Sequence, residues 1–123
     1  MSSSMTEALS VLTGIQGFIA AAVVDSESGM MFDSKVRGSF AIEMAAAANT
    51  EVMKAKLQAM KSIGLGDDYI EDILITLGTQ YHLIRPIKMN PSIFIYLAVS
   101  SNGANLGMIR ATMKKAEGSI KSI

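Results

Sequence analysis

Apolar residues crowd two stretches of this chain without alternation, FIAAAVV at 18–24 and IFIYLAV at 93–99. A strand that is apolar on both faces needs cover above and below, so the strands that hold these runs, 18–25 and 92–100, read as central, neighbouring strands with helices on either side. Elsewhere the pattern alternates. Over 70–77, Ile73, Ile75 and Leu77 fall on one face and Asp72, Leu74 and Thr76 on the other, the period of a half-covered strand. Residues 30–35 and 80–86 supply the remaining strands. Ser26, Glu27, Ser28 and Gly29 form the turn of a first hairpin over 18–35. Gly78–Thr79 and the Asn90–Pro91 dipeptide within 87–91 mark the later turns.

Between the strands the period becomes helical. Over 5–15, Met5, Ala8, Leu9 and Leu12 share a face, Ser4 or Thr6 can cap, and Glu7 sits in the first turn. Gly14 and Gly17 end that helix, and residues 2–4 are expected to fray. Over 106–120, Leu106, Ile109, Met113, Ala116 and Ile120 share a face. The longest helical stretch, 40–63, has no internal Gly or Pro and is dominated by strong helix formers. Ser39 is its expected N-cap and Gly64 the residue just past its end. At 1.5 Å per residue it forms a rod of roughly 35 Å.

That rod carries two apolar stripes. Ala41, Met44, Ala45, Ala48, Val52, Ala55, Ala59 and Ile63 form one; Ile42, Ala46, Met53, Leu57 and Met60 form another, on the order of 130° further round. Glu43, Thr50, Glu51, Lys54, Gln58 and Lys61 fill the remainder. A surface helix needs one stripe for its own core. The second is covered either by deeper burial or by another copy of the chain, and small side chains allow close helix–helix approach. A chain this short has little protein to cover both sides, which favours a second copy.

Composition narrows the function. The 123 residues form one domain, 1–123, and half are apolar. Lys plus Arg and Asp plus Glu both number 11, so the surplus of positive charge that phosphate contacts demand is missing, and nucleic acid is not an expected partner. There is no cysteine, hence no disulfide or thiolate zinc site, which fits a cytoplasmic location. The apolar runs are too short for a membrane span. MSSSMTEALS lacks a basic start followed by an apolar stretch, so no signal peptide is expected. Ten Met residues suit an irregular core and also adaptable binding surfaces.

The order and several local strings resemble the roadblock/dynein light chain family. GIQGFIAAAVVDSESGMMF (14–32) matches its short helix, glycine, apolar strand, Gly turn and second strand; the first turn is one residue longer than the commonest family turn. The Ala-rich helix with its following Gly, the three strands, and SSNGANLGMIRATMKK (100–115) opening the last helix complete the likeness. The resemblance implies an α+β, three-layer α/β/α sandwich of order αββαβββα, with a five-stranded, mostly antiparallel sheet. It also implies a homodimer whose third strands, here 70–77, pair edge to edge while the long helices lie side by side. The interface would then hold Ala41, Met44, Ala45, Ala48, Val52, Ala55, Ile73 and Ile75. Family members are associated with small Ras-like GTPases. By that resemblance the paired helices would face the GTPase, with Glu43, Thr50, Glu51, Lys54 and Gln58 at the rim.

Residues that could carry chemistry read more plainly as structure. SNGANLG at 101–107 lacks the Lys-Ser/Thr of a P-loop, so Asn102 or Asn105 reads as a helix cap. Asp67, Asp68, Glu71 and Asp72 read as a solvated loop with strand-edge charges rather than a Ca²⁺ or Mg²⁺ site. His82, the sole histidine, reads as a strand-surface residue rather than a metal ligand. Arg110, Lys114, Lys115 and Lys121 read as a solvated helix face. An arginine finger would have to come from Arg37, Arg85 or Arg110, and Arg37 lies nearest the long helix. No nucleophile with a base is evident, so neither an enzyme nor a cofactor is expected. The leading expectation is a homodimeric regulator or scaffold of a small Ras-like GTPase. The alternative is a dimeric sensory or ligand-binding module, or an assembly scaffold without a GTPase.

Overall fold

The structure is a computed structural model that describes residues 4–121. In chain order it contains α1 (Ser4–Leu12), β1 (Phe18–Asp25), β2 (Met31–Val36), α2 (Ile42–Ser62), β3 (Ile73–Thr76), β4 (Gln80–Ile87), β5 (Asn90–Ser100) and α3 (Leu106–Ser119). The strands form one sheet in the order β2-β1-β5-β4-β3, and every pairing is antiparallel. The two apolar strands are neighbours at its centre. β2 and β3 are its edges.

Alternation along the central strands sorts their side chains onto two faces. Phe18, Ala21 and Val23 of β1 join Ile93, Ile95, Leu97 and Val99 of β5 under α1 and α3. Ala20, Ala22, Val24, Phe94, Tyr96 and Ala98 face α2 instead, against Ile42, Ala46 and Met53. The order αββαβββα and the three-layer α+β sandwich are therefore as expected.

The differences from expectation lie at element ends. Ser4 begins α1 rather than fraying, and its hydroxyl accepts the Lys121 N–H at 3.1 Å. Ser2 and Ser3 lie outside the described residues. α1 stops at Leu12 because the chain tightens through Val11 O to Gly14 N and Leu12 O to Ile15 N, and Gly17 then turns at φ 83. α2 begins at Ile42, not at 40, and Ser39 does not cap it. Ala41 occupies the N-cap position without a side-chain bond. Phe40 is held outside the helix, edge-on to the His82 ring with centroids 6.2 Å apart. The C-terminus behaves as expected. Gly64 takes φ 82, Leu65 N–H donates to Met60 O at 2.7 Å and Gly64 N–H to Lys61 O at 3.3 Å, which satisfies the last carbonyls.

β2 spans 31–36 rather than 30–35. The register between β1 and β2 shifts between Val23 and Val24, which pair with Asp33 and Met31 and leave Phe32 as an extra residue. β3 is half the expected length, because residues 65–72 form a loop closed by Asp68 N–H to Leu65 O. Its last partner on β4 is Ile84. Pro86 therefore sits where β4 has become an edge, the place in a sheet that tolerates a missing N–H.

Candidate functional site

The long helix lies on one face of the sheet, over β1 and β2. Its inner side is Ile42, Ala46, Asn49, Thr50, Met53 and Met60. These include most of the second stripe named above, although Leu57 is 41% exposed. The Ala-rich stripe points away from the sheet. Met44 is 76% and Ile63 65% exposed, Ala41, Ala48, Val52, Ala55 and Ala59 are exposed, and Ala45 is half-buried.

Two contacts fix the direction of that stripe. A Cβ on Gly29, in the first hairpin turn, would sit 3.8 Å from Ala47 Cα and 3.9 Å from Thr50 Oγ1. That side of α2 therefore leans towards the first hairpin. At about 100° per residue the Ala-rich stripe falls on the opposite, outward flank of the helix. Ile73 and Ile75 project on the α2 face of the edge strand and are half-buried. The outward helix flank is exposed and the strand edge half-buried, so both leave apolar side chains partly uncovered.

Of the charged and polar rim positions, Glu43, Glu51, Lys54 and Gln58 are exposed, with Lys54 and Glu51 3.9 Å apart. Thr50 is a correction. It is 2% exposed and its hydroxyl donates to Ala46 O at 2.8 Å, so it faces the sheet. A Thr on a helix can return its hydroxyl to the preceding turn, which lets it pass as an apolar residue.

His82 also differs from its reading as a strand-surface residue. It is half-buried beneath Phe40, with Nε2 2.7 Å from Gln80 Oε1 and Nδ1 3.1 Å from the Tyr96 hydroxyl. Tyr96 is fully buried on the face that packs against α2, where the Asn49 side chain donates to Ala45 O at 2.7 Å. Burial pushes the Tyr96 hydroxyl up to about 12, and burial lowers the His82 pKa from 6.5. Sequence reading missed this polar thread under α2. The signal available was Asn49, a polar residue beside the inner stripe.

The other candidates resolve into structural roles. Asn105 caps α3, its side chain accepting the Met108 N–H at 3.0 Å. Asp72 pairs with Arg110 at 2.9 Å, and among the described residues no group of His, Asp and Glu could hold a metal ion. Arg85 binds Glu117 at 2.7 Å, with both side chains largely covered. Arg37 reaches Thr13 O at 3.5 Å and lies over the Phe18 ring, so its contacts are with the residue after α1 and the start of β1 and not with α2. The clefts among the described residues include one of ≈ 380 Å³ beside Leu57, Tyr69 and Pro86 and one of ≈ 360 Å³ between the end of α1 and the start of α3. Among the described residues no helix is long and apolar enough to cross a membrane.

Neither a family model nor a curated protein matches the sequence. Solved structures do. The chain is similar to Myxococcus xanthus MglB at 16% identity, covering 93% of this chain and 91% of that one, with a TM-score of 0.77. It is similar to the gliding protein MglB from Thermus thermophilus at 15% identity, over 95% and 85% of the two chains, with a TM-score of 0.78. A Roadblock/LC7 domain from Streptomyces avermitilis matches at 11% identity over 92% and 91%, with a TM-score of 0.76. Likeness at these identities shows the fold, and the fold of this chain is the roadblock fold.

Proposed function

We propose that this roadblock-fold chain is a homodimeric regulator or scaffold of a small Ras-like GTPase, acting by protein–protein contact and not as an enzyme. The observation that carries the reading is the outward, exposed Ala-rich stripe of α2, together with the half-buried Ile73 and Ile75 on the edge strand β3. Apolar surface placed so is removed from water by a second copy, whose own α2 lies against this one while the two β3 edges pair. Ala41, Met44, Ala45, Ala48, Val52, Ala55, Ile73 and Ile75 then meet their counterparts across a two-fold axis. The GTPase partner follows from the family resemblance of the sequence, and the fold shared with MglB supports it. Glu43, Glu51, Lys54 and Gln58 would border the resulting platform, with Thr50 beneath it. The same solvent-exposed platform suits a cytoplasmic partner.

The first test is the mass in solution. Sedimentation at micromolar concentration should give twice the 13.1 kDa of one chain. Ala48→Glu should give one chain with unchanged helicity, since it places a charge on the outward stripe and touches no core. A wild-type monomer would count against the reading. The second test is capture from a lysate with added GDP or a non-hydrolysable GTP analogue. A small GTPase retained mainly in the GTP-like state supports regulation, and none in either state argues for a scaffold with another partner.

A further inference from the structure

Glu117 holds one edge of the Arg85 guanidinium and leaves the other open. Its Oε1 accepts the Arg85 Nε–H at 2.7 Å, and its Oε2 accepts the Lys88 backbone N–H at 2.7 Å. Both carboxylate oxygens are thereby engaged. Among the described residues the two terminal amino groups of Arg85 have no protein acceptor, and no fully buried side-chain nitrogen or oxygen lacks a partner. Those amino groups therefore keep access to solvent, although the Arg85 side chain is only 12% exposed.

The space beside them is a cleft, and the strand pairing explains why. β4 has no partner on β3 beyond Ile84, so no strand screens residues 85–87. Pro86 stands at this bare edge and offers no N–H of its own. The cleft of ≈ 380 Å³ opens there, walled by Met53 and Leu57 of α2, by Tyr69 and Ile70 of the 65–72 loop and by Ile87, with Arg85 and Glu117 at its α3 end. A second cleft of ≈ 350 Å³ shares Arg85, Lys88 and Glu117 with it and adds Lys114. Arg85 thus stands where an apolar cleft meets a basic one.

The acids nearby leave those donors free. Glu117 is spent on Arg85 Nε and the Lys88 N–H, Asp68 Oδ1 accepts the Tyr69 N–H at 2.8 Å, and Glu71 is exposed. Lys88 Nζ lies 5.9 Å from the Tyr69 ring centroid, and neither Lys88 nor Lys114 makes an ion pair among the described residues.

We propose that this cleft binds a small amphipathic carboxylate, its apolar body between α2 and the 65–72 loop and its carboxylate on the terminal amino groups of Arg85, beside the Lys88 ammonium. A guanidinium edge matches the two oxygens of a carboxylate, and one already held in place loses little freedom on binding. The cleft has the size and the mainly apolar lining of a small-molecule site with a few placed polar groups. Cover over Arg85 keeps the charge pair from full solvent screening. The site goes beyond the regulator reading and needs neither a GTPase nor a second copy, since every wall belongs to one chain.

The test titrates the whole ¹⁵N-labelled chain, at neutral pH and low salt, with octanoate, octanol, acetate and inorganic phosphate. Octanoate should shift the Arg85 Nε–H and the Tyr69 and Lys88 amides along one saturable curve. Octanol has the body without the charge and should bind about tenfold more weakly, for want of a charge-assisted bond. Acetate and phosphate lack the body and should not saturate. Arg85→Lys gives Glu117 its ion pair but no open guanidinium edge, so it should weaken octanoate about tenfold and leave octanol unchanged. Leu57→Asp changes a cleft wall that is 41% exposed, should weaken both ligands, and decides the matter if Arg85→Lys does not fold. No saturation by octanoate, equal affinity for octanoate and octanol, shifts centred on Met44 and Ala48 instead of the cleft, or unchanged octanoate binding in Leu57→Asp would overturn the site. Mass measured on the ligand-free sample reads the dimer separately, and a monomer there leaves the titration intact.

Discussion

Tyr96 and Leu97 are neighbours on β5 and equally buried, yet they look onto different worlds. Leu97 faces α1 and α3, two helices that pack on each other and cover their side of the sheet. That side is also stitched at its margins, by Thr6 to Asp33 at 2.6 Å, Arg85 to Glu117 and Arg110 to Asp72. Tyr96 faces a single helix that covers β1 and β2 and leaves the β3 edge half open. The closed side has all the partners it needs within one chain. The open side keeps an apolar flank in water and a titratable thread under its helix. The two faces of one sheet thus differ in how fully one chain covers them.

Several changes break or sharpen this contrast, in descending order of effect. Leu97→Ala should destabilise the fold by about 3 kcal/mol in chemical denaturation, through lost burial and a residual cavity. Met53→Ala, on the inner side of α2 and 1% exposed, should cost about 2 kcal/mol, because an open face relaxes more readily around a void. Equal losses would say the two faces are equally rigid. Glu117→Gln removes the carboxylate that holds Arg85 on the closed side. With side chains 12% and 13% exposed, the expected loss is about 2 kcal/mol, below that of a fully buried pair, read from the denaturation midpoint. Asn105→Ala should cost about 1 kcal/mol and Ser39→Ala only about 0.2 kcal/mol, since Asn105 caps a helix and Ser39 does not. Thermal melts of both distinguish a capped α3 from an uncapped α2. Asp72→Asn should cost about 0.5 kcal/mol and the difference should vanish in high salt, because Arg110 is well exposed.

Much of the molecule was legible in residue order. The bounds of β1 matched, both apolar strands proved central, and the stripes of α1 and α3 are the buried ones, because burial on a regular element must repeat with its period. Element ends were less legible. Ser39 has a capping side chain, but Phe40 packs on His82 and starts the helix later. Residues 70–72 carry strand-like alternation, but β4 gives them no partner beyond Ile84.

The candidate site divides in the same manner. Periodicity alone determined that the long helix has two apolar stripes. It could not rank them, because both are apolar and the choice rests on which one the sheet occupies. Only the packed chain decided that Met53 and Thr50 face inward and that Ala48 faces outward. The contacts of His82, edge-on to Phe40 before α2 and bonded to Tyr96 on β5, join segments that are not neighbours in sequence. Such contacts carry no local signal, since each residue is ordinary in its own element and the chemistry arises where the elements meet.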